Sequence, residues 1–480
     1  GFVKSSGERI DIDARNASGS LDGDLVMVRK LGSLPGEGHY RGKVESVIKR
    51  SRQGVSGIAR KKGRNWVIDP VNPVLPREIP LRAVPDNDIK QGRLVFAVLD
   101  YSGKRLAADL KKDLGSPSSP EALIDSVVLD HGFHDEFPGN LLKNAEELAS
   151  QPWTLEGRED FRDLFTITID PVDAKDFDDA VSLTIEDGVR TLYVHIADVA
   201  HYVAPGSLPD NEARLRGTSV YLPDRVLPML PQVLSNGACS LKPDEDRPTR
   251  TVVMKFDRSG ERLDFTIVPS VIHSDRRMTY EEALEYLEDN GTEERLREFF
   301  DSMGALSADL DSIRENRGAL DLGSSEYRVI FGEDGWPEGF KPVPSDRAHR
   351  LIENFMVEAN RAVADHCMWS DLPVLFRVHD EPAEVSGERL IRQLQLLDIS
   401  LPGGKVHNPS VLKKLLDSLS DSPLHDLAVE YILRSMQKAV YLPSNTGHFG
   451  LALRSYLHFT SPIRRYPDLL VHQVLAMQEK

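Results

Sequence analysis

The first 115 residues alternate hydrophobic and polar positions in short runs that are separated by turn residues. The clearest runs are residues 24–30, 42–49, 65–68 and 94–100. Short period-2 runs divided by Gly, Pro and Asp are typical of small antiparallel barrels. The pattern therefore predicts two all-β barrels of the oligonucleotide-binding (OB) type, the first at residues 1–45, with a short start, and the second at residues 46–115.

The pattern of apolar positions in residues 116–480 predicts one larger α+β domain. A linker rich in Pro, Ser and Gly at residues 111–122 leads into it, and a helix is expected at residues 140–150. Strand patterns then dominate up to about residue 270. Beyond them, apolar positions recur at helical spacing in residues 279–287, 350–365, 386–397, 426–440 and 463–478. Strands followed by helices are typical of α+β domains.

A cluster of aspartates follows the first strand of this domain. Residues 170–179 contain one cation, Lys175, and five carboxylates, Asp170, Asp173, Asp176, Asp178 and Asp179. Two like charges about 4 Å apart repel by ~4 kcal/mol at an effective dielectric of about 20, so the cluster requires solvent, protonation or a bound cation. Magnesium binds to a few carboxylates together with phosphate oxygens. The cluster predicts a magnesium-dependent phosphoryl-transfer site, with a solvated acidic turn as the alternative.

The strand at residues 164–169 gives the cluster a defined geometry. Its period-2 pattern places Asp170 at the end of the polar face, and Pro171 stops the strand. The loop that follows can therefore bring Asp176 and Asp178 back toward Asp170. A calcium loop is excluded, because the required central glycine and terminal glutamate are missing.

Residues 458–472 form a second stretch with candidate chemistry. Ser461 and Pro462 predict a helix start, which would place Arg464 and Arg465 in the first turn. Cations are unfavourable at the N-terminal end of a helix, where the dipole is positive. A bound anion at that end would compensate for this repulsion. The stretch predicts an anion site, with pairing of both arginines to surface carboxylates as the alternative.

The net charge of −17 argues against a protein that coats nucleic acid, because nonspecific affinity for a polyanion comes from neutralised phosphates. Residues 41–64 nevertheless carry nine cations and one anion, Glu45. This run predicts either a solvated basic hairpin or a local patch that guides phosphates. Several aromatic residues of the barrels are candidates for the core or for base stacking, namely Phe2, Tyr40, Trp66, Phe96 and Tyr101.

Other patterns restrict the class of protein. Cys239 and Cys367 lack zinc-site spacing and predict two buried thiols in a reducing cytoplasm. His195, Asp198 and His201 are interpreted as structural hydrogen-bonding residues rather than metal ligands. No apolar run is long enough to cross a membrane, so we expect no membrane partner. We also expect a cytoplasmic protein that acts as a monomer. The sequence lacks an initial methionine and stops inside an apparent helix, and we expect both ends to be cut.

Six segments in consistent order resemble the ribonuclease II and ribonuclease R family of exoribonucleases, and its ribonuclease R branch most. They are TIDPVDAKDFDDA at 168–180, VHIADVAHYV at 194–203, TSVYLPDRVLPMLP at 218–231, LIENFMVEAN at 351–360, LFRVHDEP at 375–382 and HFTSPIRRYPDLLVH at 458–472. The resemblance implies paired cold-shock domains of OB type before a catalytic domain of RNB type.

The resemblance also implies an activity. The implied activity is that of a hydrolytic exoribonuclease, which would degrade single-stranded RNA processively from the 3′ end to nucleoside 5′-monophosphates. One or two magnesium ions, replaceable by manganese, would be held by the family's aspartates, which fall on Asp170, Asp176, Asp178 and Asp179; Asp173 is outside that set. Arg464 matches the family's transition-state arginine, and Tyr221 matches the tyrosine that stacks on the 3′-terminal nucleotide. We expect Asp178 to be the carboxylate most sensitive to substitution.

Two departures and two alternatives accompany this assignment. The family's C-terminal S1 barrel is absent from the sequence, and the first cold-shock domain looks short. A non-catalytic RNA-binding regulator on the same fold would be expected to have lost site residues, whereas the four aspartates and Arg464 are all present. A phosphorolytic exonuclease would need a phosphate cradle, and no Gly-rich phosphate loop is visible.

Overall fold

The structure is a computed structural model that describes residues 1–5, 8–35, 38–82, 89–103, 106–320, 326–343, 346–401, 403 and 405–479. The chain divides into two compact units. The first comprises Gly1–Glu136 and Val329–Phe340, and the second comprises Phe137–Arg328 and Lys341–Lys480. Small β-sheets come first along the chain and an α+β region follows, so the predicted fold class is confirmed.

The first sheet has four strands, β1 (Phe2–Ser5), β2 (Glu8–Ile12), β3 (Leu25–Ser33) and β4 (His39–Lys49). Their order is β1-β2-β4-β3, with β2 and β4 parallel and the other pairs antiparallel. A short 3₁₀ turn, Ala14–Asn16, follows β2. Ile10, Ile12 and Val44 form a small core against this sheet.

The second sheet is a barrel of five strands, β5 (Gly54–Lys62), β6 (Asn65–Pro70), β7 (Ile79–Pro80), β8 (Leu94–Asp100) and β9 (Ala107–Gly115). Their order is β7-β6-β5-β8-β9, and a parallel bridge between Leu81 and Ala108 joins the two ends. A three-strand meander closed by two further strands is the connectivity of an OB barrel. Val55, Ile68 and Val95 lie in its core.

The structure differs from the predicted boundaries at residues 45 and 111–122. β4 continues past residue 45 to Lys49, and β9 includes residues 111–115, so the irregular link is only residues 116–119. Helix α1 (Pro120–Asp130) then packs on the barrel, where the Ser56 amide donates a hydrogen bond to Asp130. Ser119, the last residue of the link, caps α1, and Pro120 is the first residue of the helix. The N-terminal segment of the first unit runs to Glu136, beyond residue 115.

The barrels use part of the basic run internally. Arg60 pairs with Asp69 and Glu78 on neighbouring segments of the second barrel. Trp66 is buried in the core of that barrel, whereas Phe2 is half exposed. Some of the candidate cations and aromatic rings therefore have a structural role, and the others remain candidates for RNA contact.

Thirteen further strands complete the described chain: β10 (Glu159–Asp160), β11 (Ile167–Asp170), β12 (Asp179–Glu186), β13 (Val189–Ala197), β14 (Val220–Tyr221), β15 (Val226–Leu227), β16 (Asp246–Phe256), β17 (Arg262–His273), β18 (Arg276–Thr279), β19 (Glu326–Phe331), β20 (Pro337–Val343), β21 (Phe376–Val378) and β22 (Val440–Leu442). Seven of them form one sheet in the order β10-β17-β16-β13-β12-β11-β18. The pairs β10–β17 and β11–β18 are parallel, and the central strands are antiparallel.

The helices that follow α1 are α2 (Gly139–Ala149), α3 (Val199–Tyr202), α4 (Leu208–Arg216), α5 (Tyr280–Leu287), α6 (Glu294–Arg317), α7 (Arg347–Trp369), α8 (Glu384–Gln395), α9 (Pro409–Ser418), α10 (His425–Ser435) and α11 (Tyr466–Gln478). A π-helix spans Val233–Ala238. The helix predicted at 426–440 stops at Ser435, and its last predicted residue lies in β22. In the described part of the chain, no helix has the length and apolar character needed to span a membrane.

The seven-stranded sheet has a hydrophobic core on each face. Along β12, Val181 faces a core shared with α5, α6 and α7, whereas the preceding Ala180 faces a second core shared with α2, α3, α4 and α11. This alternation is the expected consequence of the period-2 geometry of a strand. Because helices cover both faces, the last residue of β11 and the first residue of β12 are held at the same end of their two strands.

Phe300 provides a test of the larger core. It is fully buried, and its ring lies 5.5 Å from that of Tyr286 and 6.1 Å from that of Phe299, between centroids. Because Phe300→Ala leaves a cavity, we expect it to lower the free energy of unfolding by about 3–5 kcal/mol. Urea unfolding followed by circular dichroism measures this loss. Leu396→Ala, at a side chain that is 85% exposed, should change stability by less than ~0.5 kcal/mol, and equal losses in the two variants would contradict the assignment.

Candidate active site

The acidic loop, residues 171–178, joins two neighbouring strands of the large sheet. Asp170 is the last residue of β11, and Asp179 is the first residue of β12. Antiparallel pairing sets Ile167 opposite Val181, so the chain leaves β11 and enters β12 at the same end of the two strands. Asp170 and Asp179 are thereby brought to one place, and the Asp179 charge is among the main influences on Asp170.

Asp178 is the most deeply buried aspartate of the loop, with 3% of its surface exposed. Its Oδ1 accepts a hydrogen bond of 2.8 Å from the amide of Ile463, and its Oδ2 lies 3.5 Å from Nε of Arg464. Its backbone carbonyl accepts from the amide of Ala197 at 2.9 Å. The carboxylate is thus fixed from two sides, and it joins segments that are 285 residues apart in the sequence.

Burial raises the pKa values of all four predicted ligands, and repulsion by neighbouring aspartates adds to this effect at Asp170 and Asp178. Burial, followed by the charges of Asp179 and Asp178, raises the pKa of Asp170 to about 8. Burial raises the pKa of Asp179 to about 6, although Arg464 opposes this effect. The pKa values of Asp176 and Asp178 are also raised, mainly by burial. Such groups are stable as carboxylates only when a cation lies close to them.

Arg464 lies beside this cluster, but not in the first turn of a helix as predicted. Residues 462–464 form a turn, and α11 begins later, at Tyr466, with Pro467 rather than Pro462 near its start. The carbonyl of Arg464 accepts from the Thr218 hydroxyl at 2.9 Å and from the Ser219 amide at 3.0 Å. These bonds hold the backbone, so the guanidinium is directed toward Asp178 by the tertiary structure and not by a helix dipole.

The two adjacent arginines have different partners. Arg465 donates to Asp468, a buried residue in the first turn of α11, at 2.7 Å. The Arg464 guanidinium donates to the Ser461 hydroxyl at 3.0 Å and keeps 43% of its side chain exposed. Arg465 therefore pairs with a carboxylate, but with a buried one rather than the surface carboxylate of the alternative expectation, while Arg464 remains accessible to an anion.

Tyr221 lies on β14 with 56% of its surface exposed. Burial of its hydroxyl, followed by the charge of Asp176, raises its pKa to about 12. Arg464 is close enough to hydrogen-bond with this hydroxyl. The structure thus brings together every predicted site residue: Asp170, Asp176, Asp178, Asp179, Tyr221 and Arg464.

Three residues near the loop were not found from the sequence. The Ser240 hydroxyl donates to the Lys175 carbonyl and accepts from the Phe177 amide. Tyr280 lies near the cluster, and its pKa is raised by burial and then by Asp179 and Asp170. Arg277 contacts the loop backbone. No spacing signal points to these residues, because strand pairing and loop contacts alone bring them to the loop.

The donor set fits a hard divalent cation. Among the described residues, Oδ2 of Asp170 and Oδ2 of Asp178 are buried and accept no hydrogen bond. Carboxylate oxygens of this kind are the usual ligands of magnesium. No three His, Cys, Asp or Glu side chains within the described ranges converge closely enough to hold a metal by themselves. A cation bound here would therefore need further ligands, such as water and phosphate oxygens.

His195 and Asp198 have structural hydrogen bonds, as predicted, and both cysteines are buried. His195 is buried between the hydroxyls of Ser182 and Thr251, at 3.0 and 2.7 Å, and burial lowers its pKa to about 3. Asp198 forms an ion pair of 2.7 Å with Arg158. Cys239 and Cys367 are free, buried thiols.

The fold and the site define a centre in which an acidic cluster lies beside an accessible arginine, and comparison with known proteins gives its family. The sequence pattern of the RNB domain matches residues 158–479. The chain therefore belongs to the RNB family of exoribonucleases.

Its relatives include proteins named ribonuclease R. The protein from Thermotoga maritima is 38% identical over 98% of this chain, and that from Escherichia coli is 34% identical over 99% of it. The chain spans 68% of the Thermotoga protein and 60% of the Escherichia coli protein.

Solved structures show the same similarity. Mycoplasma genitalium RNase R in complex with ribose-methylated single-stranded RNA matches with a TM-score of 0.92 and 29% identity, over 99% of this chain and 77% of that one. The yeast pseudonuclease Ssd1 matches with a TM-score of 0.78 and 19% identity, over 99% of this chain and 67% of that one. The match to Ssd1 shows a shared fold only, so the activity of this chain depends on its site residues.

Asp170 should make the metal-free protein less stable as the pH rises. The unfolded side chain ionises near pH 3.8, whereas the folded one has its pKa raised to about 8. Between these values the folded chain keeps a proton that the unfolded chain releases, so its stability falls with increasing pH. We expect Asp170→Asn to remove this loss and to be more stable than the wild type at pH 8 by about 1–3 kcal/mol, with no difference near pH 4.

Thermal unfolding with EDTA, between pH 4 and pH 8, measures the effect. Asp173→Asn is the matched control, since Asp173 is 65% exposed and should leave the wild-type profile unchanged. Added magnesium should stabilise the wild type more than Asp170→Asn, because metal binding requires the ionised carboxylate. Parallel pH profiles for the wild type and Asp170→Asn would refute the interpretation.

Proposed function

We propose that this chain uses magnesium to hydrolyse single-stranded RNA processively from its 3′ end, releasing nucleoside 5′-monophosphates. The main support is the meeting of Arg464 with the aspartates of the acidic loop, which the sequence separates by almost 300 residues. RNA-bound relatives of the same fold support an RNA substrate. Two free thiols fit a reducing cytoplasm, in which we propose that the chain acts as a monomer.

The aspartates would hold the metal. Asp170 and Asp178 offer buried carboxylate oxygens without hydrogen-bond partners among the described residues, and Asp176 and Asp179 lie beside them. Magnesium, when bound there, would offset phosphate charge and lower the pKa of a water molecule. Manganese, which prefers the same oxygen ligands, could replace it.

Arg464 is suited to bind the scissile phosphate. Although burial acts against its charge, the carboxylates of Asp178 and Asp179 help to raise its pKa, so the guanidinium stays protonated. A guanidinium can donate two parallel hydrogen bonds to phosphate oxygens, whose negative charge increases in the transition state. The bond between Asp178 and the Ile463 amide keeps this segment close to the loop.

Tyr221 is suited to position the 3′-terminal nucleotide. Its exposed ring offers a flat surface to any base, which makes stacking independent of sequence. With the terminal nucleotide on Tyr221 and its phosphate on Arg464, a water molecule attacks phosphorus. The bond from phosphorus to the 3′ oxygen of the preceding nucleotide breaks, that oxygen takes a proton, and a nucleoside 5′-monophosphate leaves.

The alternative is a non-catalytic RNA-binding regulator. The pseudonuclease Ssd1 shows that this fold does not by itself imply cleavage. The present chain retains four aspartates and the arginine in contact with one of them, so its site residues favour the enzyme.

Cleavage of a 5′-labelled single-stranded RNA tests the proposal. With magnesium we expect a short labelled end product and unlabelled mononucleotides, and with excess EDTA we expect intact RNA. Because the enzyme is processive, excess unlabelled RNA added after the start should leave few products of intermediate length. Intact RNA in magnesium would support the regulator, and nucleoside diphosphates formed with added phosphate would indicate phosphorolysis.

Asp178→Asn tests the role of the buried carboxylate. Asparagine keeps an oxygen that can accept from the Ile463 amide but removes the charge beside Arg464, so we expect a folded protein whose cleavage rate falls by at least ~10²-fold. RNA binding, measured by fluorescence anisotropy, should remain close to wild type. Asp173→Asn is the control in the same loop and should cleave normally. Loss of RNA binding together with cleavage would show a structural role for Asp178.

A further inference from the structure

Arg277 lies on β18 and reaches the start of the acidic loop. Its Nη2 donates hydrogen bonds of 2.8 Å to the Pro171 carbonyl and 2.9 Å to the Val172 carbonyl. The same guanidinium lies 5.5 Å from the ring centroid of Phe177, near the end of the loop. One side chain therefore contacts both ends of the segment that carries the aspartates.

We propose that Arg277 is a positioning residue that fixes the acidic loop, so that its aspartates are presented to one metal-bound phosphate. This inference rests on the proposed nuclease function for its kinetic consequences. Its structural consequence, a rigid loop, can be measured independently.

The loop needs such a clamp because the hydrophobic core does not hold its first half. Pro171 and Val172 are exposed, and Val172 has 64% of its surface in solvent. Repulsion between the aspartates favours opening of the loop. A guanidinium can donate to two carbonyls at once from one plane, which an ammonium group does with less directional constraint.

Strand pairing gives Arg277 a fixed place relative to Asp170. β18 and β11 are parallel neighbours, with Arg277 opposite Thr168 and Thr279 opposite Asp170. The positive charge of Arg277 acts on Asp170, where it counters the effect of the other aspartates. Both the backbone of the loop and its first carboxylate are therefore controlled from one position on the sheet.

Ser240 holds the other half of the loop. It donates to the Lys175 carbonyl at 2.9 Å and accepts from the Phe177 amide at 3.0 Å. Arg277 supplies the corresponding support at Pro171 and Val172. Other restraints on this half are an exposed ion pair between Asp173 and Arg328 and a bond from the Ala174 amide to the Pro171 carbonyl, so without Arg277 the Val172 carbonyl would lose its hydrogen bond.

Three variants of the full chain test the proposal. Arg277→Gln removes the positive charge and shortens the side chain, and Arg277→Lys keeps a positive charge but replaces the planar guanidinium with an ammonium group. Arg276→Gln is the matched control on the same strand, because Arg276 pairs instead with Glu293, at 2.8 Å, on a partly exposed surface. Thermal unfolding establishes that each variant is folded, and Arg277→Lys serves if Arg277→Gln is not.

Hydrogen exchange at residues 171–178 is the first readout. We expect faster exchange in both Arg277 variants and no change in Arg276→Gln. Magnesium affinity, measured by calorimetry without RNA, should fall by about 10-fold, as when a residue that orients metal ligands is lost. For cleavage, kcat should fall by about 10–100-fold, with KM for RNA nearly unchanged.

Each contrary result overturns the proposal in a distinct way. Unchanged exchange and magnesium affinity in Arg277→Gln would show that the loop is fixed without the arginine. Full recovery in Arg277→Lys would show that charge alone matters. A fall in unfolding temperature that accounts for all the losses would show a general structural role. If the wild type does not cleave RNA, the proposed function fails, while loop exchange and magnesium affinity still decide the role of Arg277.

Discussion

Repulsion among partly buried aspartates is the constraint on which the site depends. Each pair of charges at about 4 Å costs ~4 kcal/mol at an effective dielectric of about 20, and desolvation adds to this cost. The raised pKa of Asp170 reflects burial and repulsion in the protein without metal, and that of Asp179 reflects burial. The chain reduces the cost in part, through the Arg464 guanidinium and the Ile463 amide beside Asp178. The remaining negative charge is what a divalent cation would neutralise.

The two-sided sheet makes it possible to hold such a cluster together. One core anchors β11, β12 and the helices packed over them, while the other core contains Ile463 and Leu469 around the Arg464 turn. Arg464 is therefore placed by apolar packing near it and by the bonds that Thr218 and Ser219 make to its carbonyl. Hydrophobic burial supplies the free energy that keeps the like charges at short range.

Fold and activity are separable in this architecture. A pseudonuclease shares the overall fold at low sequence identity, so the sheet and its helices are compatible with the absence of cleavage. What favours an enzyme here is the local arrangement of Asp178, Arg464 and the exposed ring of Tyr221. The family assignment and the geometry are thus separate supports for the same proposal.

Period-2 and helical patterns were sufficient to predict small β domains followed by an α+β domain, because burial of alternate residues is a local property of strands and helices. The aspartate run and the TSPIRR segment were likewise visible, since their residue types are unusual for a surface turn and a helix start. Element ends were less accurate, as shown by the strand at residues 111–115 and by the start of α11 at Tyr466.

The meeting of Asp178 with Arg464, and the contacts of Arg277 and Ser240 with the loop, were decided only by the tertiary structure. These contacts depend on strand order and on the packing of distant segments, which leave no spacing pattern in the sequence.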